Sequence, residues 1–191
     1  MTAFTGVILA GGQGSRMGGQ DKGLLGLQGK PLYQHVLQRL RPQVDSVLIS
    51  ANRNIDQYQL SGCQVVPDSL ADYPGPLAGM LSGLQHSQTE WVAFCACDTP
   101  WIPEDFVMRL WLQRGDAPAV WVKSLQRDHP TLALVNRSLA DDLTKWLLRG
   151  ERRLMQFMRE HGGHAVPFAL DESIFRNINT PEDLIHEEER S

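Results

Sequence analysis

A glycine-rich stretch near the N-terminus carries the residues best suited to chemistry. Residues 8–25 read ILAGGQGSRMGGQDKGLL, and six of these eighteen residues are glycine. Ordered glycine costs backbone entropy, so a cluster of glycines needs a compensating reason. A loop whose backbone N–H groups closely approach an anion supplies such a reason, and we predict a loop of this kind. Arg16 and Lys22 lie in the same stretch. Two cations beside a cluster of N–H groups predict a polyphosphate site, in which both cations neutralise charge that develops on the phosphates.

Two common phosphate-binding motifs do not fit this stretch. A P-loop requires Gly-Lys followed by Ser or Thr, and this order is absent from residues 8–25. The dinucleotide fingerprint G-x-G-x-x-G fails from Gly12, where its third glycine would be Met17, and from Gly14, where its second would be Arg16. A glycine-rich turn without any ligand is the remaining structural alternative, but such a turn needs only one or two glycines.

Two aspartates follow apolar runs that have the character of buried strands. Asp98 ends WVAFCACD, where it would serve as a metal ligand or as the N-cap of the next helix. Pro100 and Pro103 delay that helix, which favours the metal. Asp68 follows QVVP and would either contact a nucleotide or only shape a turn.

The elements that must position these residues alternate between strands and helices. Such alternation is typical of an α/β fold with three layers, in which a mostly parallel central sheet has helices on both faces. Ligands of these sheets bind beyond the carboxyl ends of the strands, where the glycine-rich stretch, Asp68 and Asp98 would all lie. The apolar patterns predict strands at 4–10, 46–52, 63–68, 91–98, 118–124, 130–136 and 164–167, and the two strands at 118–124 and 130–136 are close enough to form a hairpin. A further segment follows at 175–178, and helices are predicted at 32–40, 75–87, 103–113, 139–149, 152–161 and from 181 with Thr180 as its N-cap.

Composition restricts the class of protein. The chain has 191 residues, which predicts one domain over residues 1–191, and its net charge of −4 argues against nucleic acid as a partner. The apolar runs are too short to span a membrane. Its three cysteines, Cys63, Cys95 and Cys97, predict reduced thiols in a cytoplasmic protein, and we expect Cys95 and Cys97 to be core residues.

The stretch LAGGQGSRMGGQDKGLL resembles the signature L-A-G-G-x-x-x-R-M-G-x-D-K-x-L-L of nucleotidyltransferases with a GT-A-like, Rossmann-like fold. Further segments resemble one family of that superfamily, the molybdenum cofactor guanylyltransferases, along nearly the whole chain. These segments are DSLADYPGPLAGM (68–80), CDTPWIP (97–103), RDHPTLALVN (127–136), GERRLMQFM (150–158) and NINTPEDL (177–184).

The resemblance implies transfer of GMP from GTP to molybdopterin, with release of pyrophosphate and a requirement for Mg²⁺, for which Mn²⁺ could substitute. It also implies contacts of Lys22 with the phosphates, of Asp68 with the nucleoside and of Asp98 with the metal. The family often has Asn-Ala-Asn where this chain has Ser50-Ala51-Asn52, so Asn52 would carry more of the base recognition than Ser50. The residues that would line the nucleotide are Leu9, Ala10, Gly11 and Gly12.

Two pairs of residues near the C-terminus have two interpretations each. Asn177 and Asn179 flank Ile178 and would point the same way in an extended segment, so Asn179 would complete the metal site or would only cap the last helix. Arg152 and Arg153 would hold the phosphate of the second substrate or would form a solvated surface.

Two other functions compete with the guanylyltransferase. One is a nucleotidyltransferase that uses CTP or a sugar phosphate, and the other is a non-catalytic nucleotide-binding carrier of the cofactor. The presence of both Lys22 and Asp98 favours a catalyst over a carrier, because a protein that only binds a nucleotide would not need both charged residues. We expect a monomer, with transient contacts to molybdenum-insertion proteins and molybdoenzyme chaperones, as the family resemblance implies.

Overall fold

Seven strands of the described part of the chain form one central sheet. The structure, a computed structural model, describes residues 1–10, 16–17, 20–70, 75–170, 172–175, 178, 183 and 185. The strand order is β7-β5-β6-β4-β1-β2-β3, and β6 alone runs antiparallel to its sheet neighbours. The strands are β1 (Phe4–Leu9), β2 (Ser46–Ser50), β3 (Gln64–Val66), β4 (Trp91–Ala96), β5 (Ala119–Lys123), β6 (Asp128–Asn136) and β7 (His164–Pro167).

Helices cover both faces of the sheet, as predicted. The α-helices are α1 (Leu32–Leu40), α2 (Ile55–Gln59), α3 (Pro76–His86), α4 (Phe106–Gln113), α5 (Ala140–Leu148) and α6 (Leu154–Glu160). Helices α1, α2 and α3 lie in the connections that join β1, β2, β3 and β4 in turn. Side chains of α1, α2 and α4 pack in one hydrophobic core, and those of α3, α5 and α6 pack in a second. The predicted three-layer α/β architecture is therefore confirmed.

Strand β4 shows how the sequence builds these two cores. Ala93 and Cys95 point into the core with α1 and α4, whereas Val92 and Phe94 point into the core with α3. Since successive side chains of a strand face opposite sides, a continuous apolar run is what a sheet covered on both faces requires. The strand therefore lies in the sheet interior, between β1 and β6.

Some boundaries differ from the sequence predictions. The short helix α2 was not predicted, because five residues give too little apolar periodicity, and its N-cap Asn54 has a left-handed φ of 55°. A 3₁₀ turn at Glu172–Phe175 was not predicted either, and in it Phe175 packs edge-on against Phe168. The predicted hairpin of β5 and β6 is confirmed, although a register shift between His129 and Ala133 interrupts the pairing.

Short elements lie between β1 and α1. A two-residue pairing joins Arg16–Met17 to Gln20–Asp21, a 3₁₀ turn follows at Lys22–Leu24, and Gly26–Leu27 pairs with Lys30–Pro31. Of the predicted last helix, only Asp183 and Ile185 are described, and both are helical. Thr180 lies outside the described residues. The division of the chain into one domain over 1–191 stays a prediction. Within the described part of the chain, every helix is too short or too polar to cross a membrane.

Candidate active site

Four parallel strands end level with one another at one edge of the sheet. Leu9 pairs with Ser50 and with Ala96, and Ser50 pairs with Val66. Backbone hydrogen bonds continue one residue further, from Ala10 N–H to the Ser50 carbonyl and from Cys97 N–H to the Leu9 carbonyl. The segments that leave these strands therefore start side by side, which is where ligands bind in such sheets.

Lys22 and Asp98 meet at this edge. Lys22 Nζ lies 3.1 Å from Asp98 Oδ2, although the two residues are 76 positions apart in the chain. Their exposed fractions are only 6% and 8%. A buried lysine or aspartate is rare unless it is paired, so this contact compensates part of the cost of removing both charges from water.

The C-terminal segment returns to the same place. Ile178 N–H donates to the backbone carbonyl of Asp98 over 2.9 Å, and the Ile178 side chain is fully buried. Ile178 packs with Leu27 and Leu32 in a small separate core. Asn177 and Asn179 are the sequence neighbours of Ile178, but both lie outside the described residues, and the role of Asn179 at a metal stays a prediction.

Asn52 and Asp68 hold one another through two hydrogen bonds. Asn52 Nδ2 donates to Asp68 Oδ2 over 2.9 Å, and the backbone N–H of Asp68 donates to Asn52 Oδ1 over 2.8 Å. The other carboxylate oxygen, Asp68 Oδ1, is buried and has no hydrogen-bond partner among the residues that the structure describes. Burial raises the pKa of Asp68, and the Asn52 bond opposes this shift. An acceptor of this kind is suited to a donor on a ligand.

Ser50 lies beneath these two residues, against helix α3. Its side chain is fully buried, and within the described part of the protein Ser50 Oγ has no hydrogen-bond partner. A Cβ at Gly79 would lie 2.8 Å from Ser50 Oγ and 3.7 Å from Asp68 Oδ1. Glycine at this helix position therefore lets α3 approach both side chains closely. The contact of Ser50 with a nucleotide stays a prediction.

The glycine-rich stretch is described only in part. Leu9 and Ala10 are buried at the end of β1. Gly11 and Gly12 lie outside the described residues, and Arg16 is described only in its backbone, which pairs with Asp21. The predicted nucleotide contacts of these residues stay predictions.

Sequence reasoning missed the residues that support the Lys22 turn. Asp21 Oδ1 accepts hydrogen bonds from the Tyr58 hydroxyl at 2.7 Å and from the Gly23 N–H at 3.2 Å. Asp21 Oδ2 accepts from Asn54 Nδ2 at 3.2 Å. No pattern in the sequence links Tyr58 to Asp21, which precedes it by 37 residues. Gly79 could have been noticed, because a glycine inside a helix pattern is a sign of close packing.

The other candidate residues are two cysteines, a tryptophan and two arginines. Cys95 and Cys97 are buried in the core as predicted, and burial raises the pKa of both thiols. Trp101 is half-buried beside Ile178, and the Arg39 guanidinium lies 5.6 Å from the centre of its ring. Arg152 and Arg153 are exposed just before α6, so both of their interpretations stand.

The mostly parallel sheet, with a buried lysine–carboxylate pair at the carboxyl ends of its strands, is typical of α/β proteins that bind a ligand at this edge. The chain belongs to the MobA-like NTP transferase family, since the family model described as a MobA-like NTP transferase domain matches residues 6–166. The family predicted from the sequence is therefore confirmed.

Individual relatives and solved structures agree with this family. The chain is 50% identical over 182 residues to a molybdenum cofactor guanylyltransferase of Serratia proteamaculans (strain 568), with 95% of this chain and 92% of that protein covered. A protein of the same name from Yersinia pseudotuberculosis serotype O:1b (strain IP 31758) is 48% identical over 180 residues, which cover 94% of this chain and 92% of that one.

Among solved structures, the molybdopterin-guanine dinucleotide biosynthesis protein A of Archaeoglobus fulgidus has a TM-score of 0.78 at 26% identity, with 97% of each chain covered. The 4-diphosphocytidyl-2C-methyl-D-erythritol synthase of Anaerococcus prevotii DSM 20548 also reaches 0.78, covering 99% of this chain and 96% of that one, but at 13% identity it supports the fold alone.

Proposed function

We propose that this chain transfers GMP from GTP to molybdopterin, releases pyrophosphate and so forms a guanine dinucleotide cofactor. Support comes from the family and from relatives of about 50% identity, which are named molybdenum cofactor guanylyltransferases. The observation that carries the proposal is the buried contact of Lys22 with Asp98 at the carboxyl edge of the sheet. It brings a cation for phosphates and an anion for a metal to one point, next to the glycine-rich stretch.

The reaction needs positioning and charge stabilisation more than a base. The terminal phosphate of molybdopterin is already an anion, and one of its oxygens forms a bond to the α-phosphorus of GTP. The bond between that phosphorus and the oxygen bridging to the β-phosphate breaks, and its electron pair leaves with pyrophosphate. Lys22 can donate to leaving-group oxygens while it stays beside Asp98, because an ammonium has three donors. Arg16 would add a second cation through its planar fork.

The donor set suits Mg²⁺, with Mn²⁺ as a substitute. The described residues contain no group of three or more His, Cys, Asp or Glu side chains that could hold a metal by themselves. Mg²⁺ commonly binds one or two carboxylates together with substrate phosphates and water, and Asp98 can supply such a carboxylate. We assign Asp98 to the metal, with Asn179 as a further ligand. The metal would neutralise charge on the triphosphate.

The nucleoside is assigned to the other end of the same edge. Asp68 Oδ1 is a buried acceptor without a partner among the described residues, and Asn52 holds the rest of the carboxylate in place. Guanosine has N–H and O–H donors that such an acceptor can bind. Leu9, Ala10, Gly11 and Gly12 would line the nucleotide, with Ser50 beneath it.

The cysteines bear on the cellular compartment of the protein. Cys63, Cys95 and Cys97 form no disulfide, which supports a reducing compartment such as the cytoplasm. We further propose a monomer that meets molybdenum-insertion proteins and molybdoenzyme chaperones only transiently.

A pyrophosphate-release assay tests the function. Purified protein is given molybdopterin and Mg²⁺ with GTP, CTP or ATP, and we expect turnover with GTP in clear preference to the other two. Asp98→Ala is the matched variant, because it removes the proposed metal ligand from a loop position while the strands stay intact. We expect its Mg²⁺-dependent turnover to be abolished and its far-UV circular dichroism to be unchanged.

Other results would each exclude part of the proposal. Equal or faster turnover with CTP would make the protein a cytidylyltransferase. Nucleotide binding without pyrophosphate release would favour a carrier without catalysis. Near-normal turnover of Asp98→Ala with Mg²⁺ would remove Asp98 from the metal site.

A further inference from the structure

The turn that carries Lys22 is attached to helix α2 through one buried carboxylate. Asp21 caps the 3₁₀ turn by accepting from Gly23 N–H, and the same carboxylate accepts from the Tyr58 hydroxyl and from Asn54 Nδ2. Three donors thus converge on Asp21, two of them from a different element. The Tyr58 bond is the shortest of the three at 2.7 Å, whereas the Gly23 and Asn54 bonds are 3.2 Å each, so Tyr58 makes the closest contact with the Asp21 carboxylate.

Tyr58 is built into the protein as a permanent donor. Its side chain is fully buried, and its ring packs edge-on against Tyr33 with the ring centres 4.8 Å apart. Burial is the main cause that raises the pKa of Tyr58, and the nearby Cys97 and Asp21 raise this pKa further. The hydroxyl therefore keeps its proton and continues to donate to Asp21 throughout the physiological range.

Gly23 shows how closely the two elements approach. A Cβ at this position would collide with the Tyr58 hydroxyl. The turn lies so near α2 that only glycine fits between Lys22 and Leu24. The Asp21–Lys22–Gly23 sequence is thus one unit: an anchor, a functional cation and a residue that permits the close approach.

We propose that Tyr58 and Asp21 are positioning residues that hold the Lys22 ammonium beside Asp98 for the nucleotidyl transfer. The inference rests on the proposed function for its chemistry, although the geometry stands without it. A lysine has a flexible four-carbon stem, so an ammonium is preorganised only when its backbone is held and its stem is buried. The Asp21 anchor supplies the first condition, and the low exposure of Lys22 supplies the second.

Tyr58→Phe is the direct test, because it keeps the buried ring and removes only the hydroxyl. We expect kcat for pyrophosphate release to fall roughly ten-fold, as for the loss of one hydrogen bond to a charged group. The KM for GTP should stay within about two-fold, since misplaced charge stabilisation affects the transition state more than binding. Tyr33→Phe is the matched control, because the Tyr33 hydroxyl donates to the Gln57 carbonyl rather than to Asp21, so kcat should not change.

A double-mutant cycle separates positioning from general damage. If Tyr58 acts through Lys22, adding Tyr58→Phe to Lys22→Ala should reduce kcat no further. An undiminished ten-fold loss in the Lys22→Ala background would overturn the proposal, as would a Tyr58→Phe enzyme with normal kcat. If Tyr58→Phe fails to fold, Asn54→Gly replaces it, because glycine tolerates the left-handed φ of this residue and lacks the amide that donates to Asp21. The kcat of Asn54→Gly should fall while its KM for GTP is maintained. A normal kcat in this variant would overturn the proposal.

Crystal structures distinguish this inference from the proposed function. In Tyr58→Phe, the Lys22 Nζ–Asp98 Oδ2 contact should lengthen beyond hydrogen-bond range or become disordered, and in Tyr33→Phe it should remain. An unchanged contact in Tyr58→Phe would overturn the positioning role even in an active enzyme. Conversely, a wild-type protein that releases no pyrophosphate from GTP would refute the proposed function, and the contact in the two variants would still decide the role of Tyr58.

Discussion

Lys22 combines two properties that favour a role in catalysis. It is almost completely buried, and it is paired with a carboxylate that a metal can also use. A buried charge is costly unless nearby groups compensate for it, so a buried lysine adds little to the stability of the ligand-free protein. In the proposed reaction, its charge would stabilise the negative charge that moves onto the leaving pyrophosphate.

Lys22→Ala should therefore lower turnover more than GTP affinity. A charge-assisted contact contributes roughly 1.5–3 kcal/mol, which corresponds to a loss of about 10- to 100-fold in kcat. The measurement is steady-state kinetics beside calorimetry with GTP. Lys30→Ala is the control, because Lys30 is a half-buried lysine whose ammonium donates to Gln38 Oε1 and not to Asp98. A Lys22→Ala enzyme that loses affinity and kcat in equal proportion would show that Lys22 serves ground-state binding only.

Asp68 makes the stability of the ligand-free protein depend on pH. Burial raises the pKa of Asp68 above 3.8, so the folded state binds this proton more tightly than the unfolded chain does. The ionised carboxylate thus costs stability, and the cost grows as pH rises from the unfolded pKa through the raised folded pKa. If Asp68 binds the nucleoside as proposed, its buried acceptor lowers the stability of the ligand-free protein and becomes useful only when the ligand is bound.

Asp68→Asn should remove this dependence. The free energy of unfolding of the variant, minus that of the wild type, should increase from about pH 3.5, below the unfolded pKa of an aspartate, to about pH 7.5, because only the wild type must bury a charge. Urea denaturation without nucleotide measures the difference at both pH values. A difference that stays constant with pH would mean that Asp68 does not titrate in this window. GTP affinity should fall in the same variant if Asp68 binds the nucleoside.

At the scale of elements, helix α3 connects packing to the site. Gly79 and Gly83 are four residues apart and so face the sheet together. A Cβ at Gly83 would lie 2.8 Å from Phe94 Cε1 and 3.0 Å from Val7 Cγ2, in the core. A Cβ at Gly79 would meet Ser50 Oγ instead, near Asp68. One helix face therefore packs on the core at Gly83 and on side chains at the carboxyl edge of the sheet at Gly79.

Alanine substitutions at the two glycines should have different effects. Gly83→Ala should lower the free energy of unfolding by roughly 1–3 kcal/mol through overpacking, less the gain in helix propensity, and should leave GTP affinity unchanged. Gly79→Ala should weaken GTP binding as well, because it displaces Ser50 and Asp68. Urea denaturation and calorimetry measure both effects. Gly26→Ala is the control, since no atom lies within 4 Å of its added Cβ and its stability should hardly change. Equal loss of GTP affinity at Gly79 and Gly83 would contradict this division.

At the scale of the whole molecule, nucleotide binding should stabilise the folded state by mass action. GTP with Mg²⁺ should raise the melting temperature of the wild type. Gly12→Leu should abolish that increase, because a side chain there would obstruct the triphosphate, while its melting temperature without ligand should stay within a few degrees of the wild type. Thermal denaturation with and without GTP measures both. A normal GTP-induced increase in Gly12→Leu would reduce the glycine-rich stretch to a turn.

The sequence by itself determined the family, the three-layer fold and the edge of the sheet that carries the site. The glycine-rich signature with Lys22 is local, and the apolar run before Asp98 encodes a strand buried on both faces. Because all parallel strands end at one edge, placing Asp68 and Asp98 after strands also predicted where they would lie. Local patterns report such features well, since they depend on residues close together in the chain.

Only the tertiary structure decided which side chains meet. It paired Lys22 with Asp98, joined Tyr58 to Asp21, buried the Ser50 hydroxyl under α3 and placed a 3₁₀ turn at residues 172–175. Each of these contacts joins segments far apart in the chain or depends on how closely two elements approach. Periodicity specifies which face of an element is apolar, but the distance and register between elements follow from packing of the whole core.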